Sequence, residues 1–588
     1  MVYLPLHMQK PFFLLNFLFT LYFTLPAQTN YPKNDFRSPV DTTMSLAGNF
    51  GEIRPNHFHA GFDIRTNNRE GMPIYAAADG YVSRIKVSAV GYGKALYIAH
   101  PNGYTTVYGH LLNFDNDIQT LANKIQYLKE SFEIDTILSP VVLTVKKGEL
   151  IGLSGNTGGS QGPHLHFEIR DSNSEMPINP YYFGYLIADT VKPMISQIVI
   201  YPLTESASIN GKNSPKKISP IYKKGSYSFL KSDTITANGT LGFAIECYDT
   251  ETKSTNKNSV FSIELQSGGK RIYYQEFEKF TFENARYVNA HIDYESKQKY
   301  GSKIQKCFVT KNNQSGIFKD VIDRGAIQFN DDSIHWIRFI LKDYIGNTTE
   351  LTLKVKGRSK PIFSKISKEI KKDAADHKMM DCLKENKFNT ADLRITIPAA
   401  AMYDDVIFNY SKKGKMPGNY SPLHELMDDE TPLQKYISIG LNAIELPVSL
   451  QSKACIVSYN KKGGKNYEGG TFSEGWLSTQ TKTFGRFSVS IDTIAPKIKV
   501  ISKQIKDKTT DYSKSKTIEI LASDNLSGIR KYRATIDGKW VLCEYEFKKN
   551  LLFYTFDQSI SKGEHLFQIE VSDDRQNTST LSFVFIRY

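Results

Sequence analysis

Over most of this chain, apolar and polar positions alternate with a period of two, and turn formers interrupt the alternation at short intervals. In the run from His164 to Arg170, His164, His166, Glu168 and Arg170 fall on one face and Leu165, Phe167 and Ile169 on the other. That pattern predicts a half-buried strand whose polar side chains converge on something. Ala95 to His100 and Tyr104 to His110 read as two strands joined across Pro101-Asn102-Gly103. Alternation puts Tyr104, Thr106, Tyr108 and His110 on one face. With a two-residue Asn-Gly loop His100 pairs with Thr105 and faces the other way, whereas a one-residue bulge reverses that. Asp79-Gly80 marks a further hairpin turn. After His110 the period changes: Ile118, Leu121, Ala122, Ile125 and Leu128 recur at helical spacing, which predicts a helical insertion over about residues 113–142, placed to form a wall of a cleft.

Other stretches follow different rules. Phe12 to Leu25 is a predominantly apolar run after Met8-Gln9-Lys10 and before Pro26-Ala27-Gln28. It is short for a membrane span, which takes about 20 residues, and reads as the core of a signal peptide over residues 1–28. Asp189-Thr-Val-Lys-Pro193 and Asp492-Thr-Ile-Ala-Pro496 are near-repeats, each followed by alternating strand residues. The segments around Asp343 to Asn347 and Asp573 to Asn577 are also alike, an Asp-to-Asn turn between two strands. These units resemble bacterial immunoglobulin-like or fibronectin-like sandwiches.

Composition supports a mainly β chain. Aromatic residues make up 12% of 588 residues, and the length suggests three to five domains at about 150 residues each. A net charge of +13 draws an exported protein to anionic polymers such as cell-wall glycans or membrane surfaces. No nucleic-acid-binding motif accompanies the charge. The five cysteines form no Cys-x-x-Cys pair, which excludes a zinc ribbon, and Cys247 with Cys307 is a candidate disulfide.

The histidines locate the chemistry. Six of twelve, at 57, 59, 100, 110, 164 and 166, lie between Asn56 and Arg170, about a fifth of the chain. Neutral imidazole with carboxylate is a donor set for zinc, and a catalytic zinc site uses three protein ligands and keeps one position open. His100 reads as a core histidine, and His291, His335, His377, His424 and His565 are isolated. The glycine-rich stretch Ser154 to Gly162 lacks the Gly-Lys-Ser/Thr of a phosphate loop and reads as a turn delivering the next strand.

His59-Ala-Gly-Phe-Asp63, Asp79-Gly80, Tyr108-Gly-His110-Leu, Ile151-Gly152, Gly158 and Gly162-Pro-His164-Leu-His166-Phe-Glu168 together resemble the M23 family of zinc metallopeptidases, the lysostaphin-like or LytM-type peptidoglycan endopeptidases. The likeness covers roughly residues 45–185, and the insertion after His110 departs from the shortest members. It implies a small antiparallel β-sheet domain, one Zn2+ held by His59, Asp63 and His166, and two catalytic histidines, His110 and His164. His57 is a rival ligand if its strand slips register. Around these, Tyr108 is a candidate wall of the groove and Glu168 a candidate carboxylate for orienting a histidine. Arg54 and Arg170 are candidates for meeting substrate carboxylates. The expected fold class is therefore mainly β, a small antiparallel M23 sheet domain with a helical insertion followed by β-sandwich (Ig-like) domains. The expected map is a signal peptide (1–28), peptidase domain (29–188), sandwich (189–358), linker (359–384), a further β domain (385–490) and a second sandwich (491–588). The expected function is an exported endopeptidase of the periplasm or cell envelope that cuts the peptide stems of peptidoglycan, with no membrane span after signal cleavage. The C-terminal β domains would position it or bind a protein partner. The alternatives are a non-catalytic LytM-like regulator of another wall hydrolase and an adhesin with a structural zinc domain.

Overall fold

Strand His164–Asp171 is the centre of the first sheet, because its apolar face has partners on both sides. It pairs antiparallel with Phe62–Arg65 on one edge and Tyr104–Phe114 on the other. The sheet order runs Leu46–Gly48, Phe62–Arg65, His164–Asp171, Tyr104–Phe114, Lys94–Ala99, Gly80–Val87, Thr144–Val145. Leu165, Phe167 and Ile169 are fully buried in one core with Phe62, Ile64 and Tyr108. The opposite face carries the histidines. The computed structural model describes residues 30–185, 187–230, 235–360, 377–502 and 509–588. The expected signal peptide and the linker lysines Lys365, Lys368, Lys371 and Lys372 lie outside these residues.

The hairpin takes the second of the two expected forms at its turn and differs from expectation at its other end. Ala99 pairs with Thr105 and the His100 amide donates to Tyr104 O, so the turn has three residues, 101–103, with Gly103 at a φ of +85°. His100 therefore shares a face with Tyr104 and Thr106. At the other end the partners step from Lys94↔Leu111 to Leu96↔Tyr108, which inserts one extra residue in the longer strand. His110 takes a φ of +60° in this bulge. The extra residue reverses the alternation, so Tyr108 and His110 face opposite sides of the sheet.

The insertion forms helix Asn116–Lys129, with Ile118, Ala122 and Gln126 buried, and it ends at Glu130 in a left-handed conformation. Leu128 does not belong to its buried stripe and is 76% exposed. A strand, Ile134–Ile137, then pairs back onto Gly80–Val87.

Beyond residue 190 the described residues are mainly β, with short helices at Val288–His291 and Tyr294–Tyr300. Strands from Met194–Pro202 to Thr348–Gly357 form one large sheet system around a main core, beside a separate hairpin of Ile221–Lys223 and Ser226–Ser228. Residues 377–491 form a six-stranded and a five-stranded sheet, and residues 497–587 a four-stranded and a five-stranded one. The repeated segments hold equivalent places. Met194↔Tyr248 and Lys497↔Ser523 open the first pairings. Lys342↔Thr348 and Ser572↔Thr578 flank the Asp-to-Asn turns. The expected Cys247–Cys307 disulfide is absent, and all five cysteines are free and buried. The Cys307 amide donates to Phe243 O, which puts Cys307 beside Phe243. Cys247 lies four residues further along that strand, about 13 Å at about 3.3 Å per residue, well beyond the reach of a disulfide. Among the described residues no helix is long and apolar enough to cross a membrane.

Candidate metal centre and its flanking histidines

Cross-strand register assembles the centre. Asp63 and Gly109 lie on either side of His166, and the turn before Asp63 brings in His59. Gly61 makes that turn possible, since a Cβ there would sit 2.2 Å from Phe167 O. Gly109 opposite His166 keeps the face open, and the bulge then swings His110 over it.

Three donor atoms form a tight triangle. His59 Nε2 lies 3.0 Å from Asp63 Oδ1 and 3.1 Å from His166 Nδ1, and Asp63 Oδ1 lies 2.9 Å from His166 Nδ1. All three residues are buried. Two imidazole nitrogens and one carboxylate oxygen at such separations fit a single small divalent ion, and the donor types suit zinc.

Each ring is oriented by its other nitrogen. His59 Nδ1 lies 2.8 Å from Asn49 O. A carbonyl only accepts, so Nδ1 carries the proton and Nε2 offers its lone pair to the triangle. His166 donates from Nε2 to Glu168 Oε1 at 2.7 Å, which frees Nδ1. Burial alone would push Asp63 up. The imidazoles of His59, His164 and His166 outweigh it and hold this carboxyl well below the usual range. Burial likewise opposes charge on His166, yet its hydrogen bonds to Asp63 and Glu168 prevail and raise it to about 9. Two carboxylates that favour a proton at that position favour a bound cation too.

His110 and His164 stand beside the triangle, with ring centroids 4.8 Å apart. His110 Nδ1 lies 2.8 Å from Thr157 O and His164 Nδ1 lies 2.8 Å from Gly162 O. Both Nδ1 atoms therefore carry the proton, and both Nε2 atoms are left as acceptors. His164 Nε2 is 3.3 Å from Asp63 Oδ1. Burial, reinforced by His166 and His164, pulls His110 down to about 3, so it is a neutral imidazole over the ordinary pH range.

The other predicted residues divide. Glu168 is fully buried and joins the centre, holding His166 with one oxygen and Arg170 Nε with the other at 2.6 Å. Burial raises its carboxyl, but Arg170 and His166 outweigh that and bring it to about 2. Arg54 is half-buried, and its Nη2 donates to Asp63 Oδ2 at 2.8 Å and to Glu52 at 2.9 Å. Arg170 is 5% exposed, paired with Glu168 and stacked on Phe282, so it is closed to a substrate carboxylate. Tyr108 leaves the groove because of the bulge. It is fully buried, and its hydroxyl accepts from the Ala77 amide and from Thr106. His57 is exposed and bonded to Pro55 O, away from the triangle. His100 is a core residue held by Asp79 O and Thr106.

Sequence reasoning missed Tyr92. Its hydroxyl donates to Glu168 Oε1 at 2.5 Å, its ring lies 5.0 Å from that of His166, and its carbonyl accepts from the His110 amide. It sits in the turn ahead of a strand, where no periodicity marks it. The carbonyls of Asn49, Thr157 and Gly162 were equally invisible, since backbone acceptors leave no residue-type signature.

With this geometry in view, the similarities fall into place. Residues 57–128 and 132–180 match peptidase family M23, and residues 377–492 match the Zu5-like domain. An uncharacterized metalloprotease of Haemophilus influenzae is 39% identical over 119 residues, 20% of this chain and 19% of that protein. The DD-carboxypeptidase/endopeptidase Mpg of Neisseria meningitidis serogroup B is 36% identical over 122 residues, 21% of this chain and 22% of Mpg. The peptidoglycan DD-endopeptidase ShyA of Vibrio cholerae is 32% identical over 139 residues, 23% of this chain and 26% of ShyA. The chain thus spans about a fifth to a quarter of the length of these relatives. The residues that match peptidase family M23, 57–128 and 132–180, include the triangle and both flanking histidines.

Proposed function

We propose that this chain is an exported zinc metalloendopeptidase that hydrolyses peptide cross-links of peptidoglycan in the periplasm or cell envelope. One observation carries the reading: a triangle of His59 Nε2, Asp63 Oδ1 and His166 Nδ1 stands beside two further histidines whose Nε2 atoms are unprotonated acceptors. A structural zinc site has no use for the extra pair. A regulator that only binds has no use for a histidine held neutral beside the triangle, as His110 is. The substrate class is drawn from relatives named for peptidoglycan DD-endopeptidase activity, and the basic charge suits an anionic wall.

His59, Asp63 and His166 would hold one Zn2+. When bound, the ion supplies Lewis-acid polarisation of the scissile carbonyl and acidifies the attacking water. The remaining work belongs to the chain's own side chains. One of His110 and His164 takes the water proton at Nε2 and returns it to the leaving amine; the other donates to the developing oxyanion when it enters the reaction already carrying a solvent proton at Nε2. Thr157 O and Gly162 O keep both rings turned for this. Glu168, steadied by Tyr92 and Arg170, keeps His166 from rotating, and Arg54 keeps one oxygen of Asp63 occupied.

The zinc-loaded chain would be incubated with intact peptidoglycan, and the soluble muropeptides separated. Conversion of cross-linked dimers into monomers by the native chain, and by no His164→Ala variant of equal zinc content, is the expected result. No cleavage by a zinc-loaded native chain would overturn the reading and leave the regulator.

A further inference from the structure

The junction between the M23 domain and the first sandwich holds a second convergence of acidic groups. Asp189 lies in the connecting segment, Asp249 follows strand Ile235–Tyr248, and Asp343 follows strand Ile334–Lys342. One carboxylate oxygen from each lies within 4.8 Å of the others. They line a cavity of about 20 Å3, room for one water-sized guest. No Lys or Arg among the described residues forms an ion pair with any of the three. By contrast, the acidic pair Asp381 and Asp405 is already neutralised by Lys311.

Two buried oxygens in this cavity have no hydrogen-bond partner among the described residues. Asp249 Oδ1 is one, on a residue 7% exposed. Ser259 Oγ is the other, also on a residue 7% exposed and lining the same cavity. Orphaned buried oxygens are costly. The neighbouring acids are otherwise well organised. Asp189 Oδ1 accepts from the Val191 and Thr252 amides, and Asp343 Oδ1 from the Gly346 and Asn347 amides. Asn347 Nδ2 ties Asp343 Oδ2 to the carbonyl of Asp189.

The arrangement recurs in the last sandwich. Asp492, Asp524 and Asp573 converge at the equivalent vertices, and Asn577 ties Asp573 Oδ2 to Asp492 O. Asp524 Oδ1 and Ser527 Oγ are again buried without partners. In both units one carboxylate oxygen of the triad and one serine hydroxyl are buried without a partner.

From this geometry we propose that Asp189, Asp249 and Asp343 form a binding site for a hard divalent cation of calcium type, with Ser259 as a further oxygen donor. Every donor is oxygen, which selects against zinc, and three carboxylates exceed what one water could satisfy. The bound ion would pin the M23 domain to the sandwich. Asn49 lines the same cavity, exchanges hydrogen bonds with the Ser259 backbone through its side chain, and accepts from His59 through its carbonyl. The ion would therefore brace a residue that orients a ligand of the catalytic centre. The competing account is that Asp249 keeps a proton: burial, then Asp343 and Asp189, pushes its carboxyl up to about 8.

The test titrates the full zinc-loaded chain, freed of other divalent ions, with Tb3+ and then CaCl2. Tyr181 and Tyr344 stack at 4.7 Å and line the cavity, so they would sensitise bound terbium. The expected result is tyrosine-excited terbium emission that calcium displaces, together with a calcium-dependent rise in Tm. Asp249→Asn should weaken calcium by more than about tenfold while Asp524→Asn leaves this signal in place. Unchanged emission and Tm response in Asp249→Asn would overturn the proposal. So would a native chain whose Tm ignores calcium, the result the proton account predicts. If Asp249→Asn does not fold, Ser259→Ala supplies the second variant, with calcium affinity expected to fall.

Discussion

At the scale of single residues, the centre separates groups that would hold an ion from groups that would move a proton. His166→Ala removes one corner of the triangle, so zinc content by atomic absorption should fall to background along with hydrolysis. His164→Ala leaves the triangle intact and should keep its zinc while hydrolysis drops by about 100-fold or more. Equal zinc loss in both variants would contradict that division. Glu168→Gln and Tyr92→Phe probe the next layer, and each should lower zinc affinity or turnover by about 10–100-fold, with Glu168→Gln the larger because it also strands the Arg170 guanidinium. The likeness to the M23 family, carried by three ordered motifs, singled out His59, Asp63, His110, His164 and His166 as one group, and the cross-strand register brings them together. Tyr92 was not legible, since a phenol in a glycine-rich turn has no periodic signature. Arg54 and Arg170 were legible only as charges, and charge alone does not say whether the partner is substrate or Asp63 and Glu168.

At the scale of elements, alternation was readable wherever a strand is regular and misleading where it is not. The strand carrying His164 and His166 follows its period throughout and its faces divide as predicted, but it is buried on both faces and not half-buried, because its polar face is covered by the pairs of Glu168 with His166 and Arg170. The strand carrying Tyr108 and His110 contains the bulge, which no composition signals, and the residue inserted there decides which side chain reaches the centre. Gly61 is a sharper constraint. Gly61→Ala forces a Cβ against the Phe167 carbonyl, so thermal melting should show a clear loss of Tm and zinc binding should weaken, because His59 and Asp63 flank that turn. Short helix Val288–His291 offers a pH test. His291 is fully buried, one ring nitrogen bonded to Gln305 and the other unpaired. Burial depresses it to about 4. A depressed histidine must charge on unfolding, so its contribution is complete above the unfolded value of about 6.5 and is lost as pH falls towards about 4. Denaturant titrations should show the native chain losing on the order of 2–3 kcal/mol more than His291→Gln across that window. Equal losses would assign the acid sensitivity elsewhere.

At the scale of the whole molecule, the last sandwich folds back onto the M23 domain, a contact between residues some four hundred apart that no local pattern announces. Trp540 packs edge-on against Tyr127 of the insertion helix at 5.0 Å. Arg533 pairs with Glu130 at the end of that helix, and Glu544 with Lys94 at 2.8 Å. Lys548 donates to Ser160 O at 3.1 Å and to Asn156 O, in the loop that delivers His164. The insertion helix, expected as a wall of the cleft, thus serves as a docking face for the far end of the chain. Tyr532, Leu542 and Tyr545 pack on the M23 core itself, so the interface has an apolar base as well as charged contacts. The exposed Arg533–Glu130 pair contributes little, so the apolar base, the aromatic contact and the partly shielded contacts of Lys94 with Glu544 and of Lys548 carry most of the coupling. If so, the two units melt as one. In differential scanning calorimetry the native chain should show them in a single transition, and Trp540→Ala with Lys548→Ala should split off the sandwich at lower temperature. The same double variant should keep its zinc yet lose a few-fold in turnover, because the loop that sets the tautomer of His164 through Gly162 O is slackened. An unsplit transition with unchanged turnover would mean that the sandwich merely rests on the peptidase, and that the loop is held from within the M23 domain.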